Sequence, residues 1–151
     1  MQPAPDTILN QSEKSPELFL IKNDDIAKIT LYKIARIIFA ETRASSLLAV
    51  ESLASMIGNL REKSGRELSD IASDDSAFES LCKNSPRNRD LFIDSARSDF
   101  QMCLRVTRRM MMGKLKDRVM GATRFHRAEN LPEWAIACGY IAEIDDLFFY
   151  K

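Results

Sequence analysis

Apolar residues recur at helical spacing in three stretches of the chain, and residues that start or stop helices flank these stretches. The predicted helices span roughly residues 25–42, 47–63 and 89–112. Asn23 or Asp24 can cap the first of them, and Gly65 follows the second where a left-handed cap is common. The first two thirds of the chain therefore read as mainly helical.

The period changes in the last forty residues. Residues 122–125 and 141–150 form short β-prone runs rich in aromatic side chains, and a loop around Pro132 and Trp134 separates them. These runs predict a two- or three-stranded antiparallel sheet. Helices grouped in sequence and followed by strands indicate an α+β domain.

The segment between the second and third helices, residues 66–88, is polar and is predicted to be mostly irregular. Loops beside a cleft are where substrate contacts are concentrated. This loop carries four acidic residues that qualify as partners in acid–base chemistry: Asp70, Asp74, Asp75 and Glu79.

Residues 1–22 are predicted to be a flexible leader, and residues 23–151 a single domain. The leader has prolines and polar residues but neither the basic start nor the apolar stretch of a secretory signal. Removal of a signal, another export route, or action from the cytoplasm in the manner of a phage lysin all remain open. No apolar run approaches the ~20 residues that span a bilayer.

Charge and cysteine content exclude several classes of function. The 22 basic and 22 acidic residues balance, so no overall field attracts nucleic acid or an anionic membrane. Cys82, Cys103 and Cys138 are odd in number and widely spaced, and the chain has one histidine. This pattern argues against a zinc site and a disulfide framework. We expect no metal, no cofactor, reduced thiols and a monomer.

Glu41 is the strongest catalytic candidate. On a helical period it lies on the same face as Ile34 and Ile38, so it continues the apolar stripe of the first helix. A carboxyl group among apolar neighbours resists ionisation, and the raised pKa suits a general acid near neutral pH. The alternative is that Glu41 frays outward at the helix end, since most glutamates are exposed.

Six segments form an ordered set of short motifs: AETR at 40–43, SMIGNLR at 55–61, SAFES at 76–80, GATRFH at 121–126, Pro132 with Trp134, and AEIDDLFFY at 142–150. Together they resemble the SleB-type cell wall hydrolases, first known as spore-cortex-lytic enzymes. The chain departs from the family's usual pattern at Ala44 and Ser45, and it lacks the Gln that precedes Phe78 in relatives.

The resemblance implies a compact lysozyme-like domain that cleaves peptidoglycan between N-acetylmuramic acid and N-acetylglucosamine. It also implies a location in the cell envelope or periplasm. In this family a single glutamate, here Glu41, protonates the glycosidic oxygen and then takes the proton from the muramoyl C6 hydroxyl. Because the nucleophile is internal, one carboxylate suffices.

Further residues are assigned to the site on position and chemistry. Thr123 and His126 fall on opposite faces of a regular strand, so at most one of them faces the cleft directly, and Thr123 is favoured. Aromatic rings at Phe78, Trp134 and Tyr140 can stack on sugars, although rings in a small domain are more often core. Two residues are expected to support the site: Arg43 and Asn59.

Two other functions remain open. A catalytically inactive homologue would bind peptidoglycan without cleaving it. The segment RVTRRMMMGKLKDR, residues 105–118, has the composition of a nucleic-acid or partner surface. Cations also complement the dipole at a helix C-terminus, so a solvated basic face is the simpler explanation.

Overall fold

A computed structural model describes the backbone of residues 16–136 and 139–151, and side chains from residue 25 onward except those of residues 136–138. Residues 1–15 of the predicted leader and Cys138 lie outside these ranges. The chain divides into two compact units, residues 1–30 and residues 31–151. Residues 16–30 are helical, and the hydrophobic core and the sheet belong to the second unit.

The helices precede the strands, which confirms the predicted α+β class. The sheet has the strand order β1-β3-β2. The α-helices are α1 (Pro16–Thr42), α2 (Leu47–Ser64), α3 (Leu68–Ile71) and α4 (Ser98–Met111), and the strands are β1 (Arg124–Arg127), β2 (Tyr140–Ile144) and β3 (Leu147–Tyr150). Short 3-10 turns span Glu79–Leu81, Pro86–Phe92 and Glu133–Ile136.

Helix α1 begins earlier than predicted and ends where predicted. Its first residue is Pro16, which suits the first helical turn because that turn needs no N–H from it. At the other end, Arg43 and Ala44 adopt left-handed conformations with φ of 53° and 52°. The chain reverses there, and Ser46 caps α2 by accepting from Ala49 N at 3.0 Å.

The prediction of a continuous helix over residues 89–112 was wrong for residues 89–97. The 3-10 turn Pro86–Phe92 comes first, and the α-helix begins only at Ser98. Arg36 on α1 explains the break, since its Nη1 donates to the carbonyls of Leu91 at 3.0 Å and Ile93 at 2.7 Å. Those oxygens are therefore already engaged by a side chain from another helix. Asp94 then accepts from Ala96 N at 3.0 Å in an Asx turn.

The sheet is fully antiparallel, and β3 is its central strand. Phe125 on β1 pairs with Phe149 on β3, and the two rings stack with centroids 6.2 Å apart. Strand β1 begins two residues later than the predicted run and reaches Arg127. This extension brings Arg127 onto the same face as Phe125.

The core lies where α1, α2, α4 and the inner face of the sheet meet. Phe78, Phe100 and Phe149 are fully buried in it, as are Ile34 and Ile38 of α1. None of the described helices is long and apolar enough to cross a membrane.

Candidate active site

Glu41 lies in the last turn of α1 and faces inward, as the helical spacing predicted. Only 2% of the residue is exposed, and Ile38 one turn earlier is fully buried. A carboxyl group so placed needs polar partners, because burying it alone is costly.

Those partners come from two distant segments. Ser80 N donates to Glu41 Oε2 at 2.8 Å, and Arg127 Nη1 donates to Glu41 Oε1. The turn that presents Ser80 is held in place by Asn88, whose Nδ2 donates to the Ser80 carbonyl at 2.9 Å. The predicted apolar surroundings are therefore incomplete: Glu41 is buried beside the apolar residues of α1, but it also forms a buried ion pair with a guanidinium.

Arg127 is the centre of a charge cluster. Its Nη2 donates to Glu79, and its Nε lies 3.4 Å from Glu129 Oε2. The side chain is only 6% exposed. Burial lowers the pKa of Arg127, but the adjacent carboxylates of Glu41 and Glu79 raise it by more, so the guanidinium stays charged.

Glu79 is held as an ionised carboxylate. Ser85 Oγ donates to its Oε2 at 2.7 Å, and Asn130 Nδ2 donates to its Oε1 at 3.2 Å. The pKa of Glu79 is below its usual range, because the Ser85 hydrogen bond and the Arg127 charge together outweigh the opposing effect of burial. Arg127 is thus in contact with the carboxyl groups of Glu41, Glu79 and Glu129.

These charged groups line a cavity of about 520 Å³. Its walls combine charged, aromatic and small polar side chains. The lining residues are Glu41, Asp75, Ser76, Ala77, Glu79, Cys82, Phe125, His126, Arg127, Glu129, Asn130, Leu131, Pro132 and Trp134. Of the four candidate second carboxylates, only Asp75 and Glu79 belong to this lining.

Trp134 forms part of the cavity wall and is half-buried. Its ring meets the edges of His126 and Tyr150, with centroids 5.8 Å and 5.1 Å away. The Arg124 guanidinium lies 4.6 Å from the ring centroid, a cation–π contact. The ring is therefore held in a fixed orientation while part of it remains accessible.

His126 also lines the cavity, but its ring nitrogens are already engaged. The neutral tautomer that fits has Nδ1 donating to the Arg127 carbonyl at 2.9 Å and the Tyr150 hydroxyl donating to Nε2 at 3.0 Å. The ring stacks on Phe148 with centroids 5.1 Å apart. His126 therefore helps to hold the strand end that presents Arg127 and does not bond to Glu41.

Three of the predicted sugar-binding residues lie outside the cavity lining. Phe78 is fully buried with its centroid 6.2 Å from that of Phe125, so it belongs to the core and cannot offer a face to a sugar. Tyr140 is 56% exposed on β2. Thr123 precedes β1, and its N–H donates to the Tyr150 carbonyl at 2.9 Å.

The two predicted supporting residues connect neighbouring segments. Arg43 Nε donates to Asp90 Oδ2 at 3.1 Å, which joins the end of α1 to the turn Pro86–Phe92. Asn59 Nδ2 donates to Asp117 Oδ2 at 3.2 Å and to the Ala122 carbonyl at 3.1 Å. Asn59 thus fixes the segment that leads into β1.

The basic segment at residues 105–118 is partly neutralised. Glu51 on α2 is buried and accepts from Arg109 Nη2 at 2.9 Å and from Arg118 Nε at 3.2 Å. Arg109 and Arg118 therefore connect α2 to α4 and to the loop that follows α4. The cavity around Glu41 includes no residue of this segment.

Sequence reasoning missed Arg127, Ser80 and Ser85. One signal was available, since a buried glutamate requires donors and a counter-charge. Sequence spacing could not show which of the chain's cations supplies that charge, because Arg127 lies 86 positions from Glu41.

Comparison with solved structures identifies the fold. The catalytic domain of the germination-specific lytic transglycosylase SleB from Bacillus anthracis superimposes with a TM-score of 0.64 and 14% sequence identity, covering 81% of this chain and 93% of that domain. The chain has the SleB catalytic-domain fold. The fold implied by the sequence resemblance is thereby confirmed. Comparisons with protein-family profiles and with curated proteins find no match.

Among the described residues, no cluster of three His, Cys, Asp or Glu side chains could hold a metal ion. The cavity lining contains several carboxyl groups, and among them Glu41 is the one held by both Arg127 and Ser80 N.

Proposed function

We propose that this protein cleaves peptidoglycan glycan strands as a lytic transglycosylase, with Glu41 as acid and then base. The observation that carries the proposal is a buried glutamate at the end of α1 that lines a 520 Å³ cavity in a SleB-like fold. The AETR motif at residues 40–43 points to the same glutamate.

The reaction needs one proton and returns it. Glu41 donates its proton to the glycosidic oxygen between N-acetylmuramic acid and N-acetylglucosamine, and the bond from that oxygen to the muramoyl C1 breaks. The muramoyl C6 hydroxyl bonds to C1 and passes its proton to the Glu41 carboxylate. The products are a 1,6-anhydro end and a free N-acetylglucosamine hydroxyl, and Glu41 is restored.

The residues around Glu41 fit this order of proton transfers. Ser80 N and Arg127 Nη1 stabilise the carboxylate that exists between the two proton transfers. Trp134 supplies an oriented ring at the cavity wall against which a pyranose can stack. A glycan substrate places the working protein in the cell envelope or periplasm.

Hydrolysis is the second candidate, because Asp75 and Glu79 line the cavity with Glu41. Two carboxylates on either side of a glycosidic bond would permit attack by water or by a carboxylate. Glu79 is already engaged with Arg127 and Ser85, which leaves Asp75 as the freer group for that role.

A third candidate is an inactive peptidoglycan-binding homologue, and the Arg127–Glu41 ion pair is the observation that favours it. Arg127 Nη1 donates to Glu41 Oε1 and Ser80 N donates to Oε2, so both oxygens that could carry the catalytic proton already accept a hydrogen bond.

Incubation of purified peptidoglycan with the parental protein and Glu41→Gln tests the proposal. We expect soluble muropeptides from the parent alone. Equal release by both proteins would contradict a catalytic role for Glu41, and binding without release by the parent would establish the inactive homologue.

A further inference from the structure

One buried guanidinium is shared by two carboxylates that both line the cavity. Arg127 Nη1 contacts Glu41, and Nη2 of the same side chain contacts Glu79. With both carboxylates ionised, the three groups carry a net charge of −1. The cluster can therefore accept one proton and still contain a neutral ion pair.

Glu41 must be protonated before it can donate a proton, and the net charge of −1 on the three groups makes that protonation possible. If Arg127 had Glu41 as its only partner, protonation of Glu41 would leave a buried cation without a counter-charge, which is strongly unfavourable. Glu79 removes that penalty, because the Arg127–Glu79 pair remains when Glu41 is neutral. After Glu41 has given up its proton, Arg127 is still in place to stabilise the new carboxylate.

We propose that Glu79 is a positioning residue that acts through Arg127, balancing the guanidinium so that Glu41 can alternate between its neutral and ionised forms. This inference rests on the proposed function of Glu41. It assigns to Glu79 a role different from that of a nucleophile or a base toward water.

Glu79 is well placed to stay ionised throughout. Ser85 and Asn130 both donate to it, and neither contacts Glu41. Its side chain is 35% exposed, whereas that of Glu41 has no exposed area. Of the two carboxylates that share Arg127, the more solvated one keeps its charge at lower cost.

The other charged and titratable groups near Glu41 have separate roles. Glu129 lies 3.4 Å from Arg127 Nε, but its side chain is 60% exposed and it is also 3.6 Å from Arg87 Nη2. Arg87 Nη1 is directed at the Ala40 carbonyl, 3.2 Å away. His126 is engaged by Tyr150 and a backbone carbonyl, and Asp75 lines the cavity.

The pH dependence of kcat/KM distinguishes this role from a structural one. We expect kcat/KM to fall with rising pH as Glu41 loses its proton, and we call this part of the profile the alkaline limb. In Glu79→Gln the full charge of Arg127 acts on Glu41, so the alkaline limb should move to lower pH by at least ~1 unit. In Arg127→Met the same limb should move to higher pH. The double variant should behave as Arg127→Met, because Glu79 acts only through Arg127.

Glu129→Gln is the matched control, since it removes another carboxylate beside Arg127 at an exposed position. The alkaline limb of Glu129→Gln should move by less than that of Glu79→Gln. An unmoved limb in Glu79→Gln would overturn the inference, and so would a further shift when Glu79→Gln is added to Arg127→Met.

Carboxyl ¹³C NMR titration of Glu41 in the same proteins, assigned with Glu41→Gln, gives a readout that does not require turnover. In each variant, the Glu41 titration should move in the same direction as the alkaline limb of the pH profile. If the parent cleaves nothing but the titration moves as expected, the proposed function fails and the coupling stands. If the parent cleaves and the titration of Glu79→Gln does not move, the coupling fails. Should Arg127→Met not fold, Glu79→Gln alone decides.

Discussion

Ser80 N donates to Glu41 Oε2 at 2.8 Å, so a backbone group of the turn Glu79–Leu81 fixes the orientation of the buried carboxyl. The turn depends in part on Asn88, which donates to the Ser80 carbonyl. Asn88, which is not part of the cavity lining, thus helps to fix the orientation of the Glu41 carboxyl group.

Asn88→Ala should loosen this turn and lower kcat by about tenfold, because misplacement of a catalytic group is costly. The loss of stability should be that of one hydrogen bond, about 0.5 to 1.5 kcal/mol. Steady-state kinetics and thermal melts measure both effects. Gln101→Ala is the control, since its Nε2 makes a similar bond to the Ser95 carbonyl at 2.7 Å away from the cavity. An equal loss of kcat in the control would contradict this role.

Glu41→Gln should retain the fold and lower kcat by ~100 to 10,000-fold, because an amide cannot supply or recover the proton. Circular dichroism and muropeptide release measure the two properties. Glu51→Gln changes a second buried glutamate, which pairs with Arg109 and Arg118 outside the cavity. It should keep the catalytic rate at temperatures where it is folded. A parental rate in Glu41→Gln would remove Glu41 from the mechanism.

Trp134→Ala should weaken saccharide binding and also lower stability, because the ring both lines the cavity and packs on His126 and Tyr150. The stability loss should be below the ~3 to 5 kcal/mol typical of a buried aromatic ring, since Trp134 is only half-buried. Chito-oligosaccharide titrations and thermal melts on one variant separate the two effects.

Tyr140→Ala is the companion measurement, because Tyr140 was also predicted to bind sugar but lies outside the cavity lining. We expect little change in binding. A larger binding loss in Tyr140→Ala than in Trp134→Ala would show that the sugar occupies another surface.

Glu79→Gln should destabilise the protein at pH 7 by an amount that fades in acid. The folded-state pKa of Glu79 lies below its usual value of 4.5. Its charge therefore contributes stability that is present above pH 4.5 and is lost as the pH falls through the folded-state value. Melting temperatures of parent and variant should converge as the pH falls below 4.5 and passes through the folded-state pKa of Glu79. A difference that stays constant as the pH is lowered from 7 into the acid range would show that packing, not charge, is responsible.

Periodicity predicted the parts of the molecule that depend on nearby residues. The end of α1 at Thr42, the extent of α2 and the inward direction of Glu41 follow from helical spacing, which a single segment carries. The antiparallel sheet was likewise indicated by alternation and turn residues.

Contacts between distant segments account for what was missed. The break before α4 depends on Arg36 reaching the Leu91 and Ile93 carbonyls, and nothing in residues 89–97 signals that donor. The burial of Arg127 depends on Glu41 and Glu79 being brought together by the fold. The aromatic ring of Phe78 suits a sugar by type, whereas its neighbours place it in the core.

Digestion of purified peptidoglycan in heavy-oxygen water tests the central claim most directly. If the C6 hydroxyl of the muramoyl residue is the nucleophile, every new muramoyl end should be a 1,6-anhydro end, lighter than a hydrolytic product by one water and free of label. Mass spectrometry of the released muropeptides resolves both properties. Incorporation of labelled oxygen at the new reducing ends would contradict the transglycosylase mechanism and assign the attack to water, with Asp75 as the first carboxylate to examine.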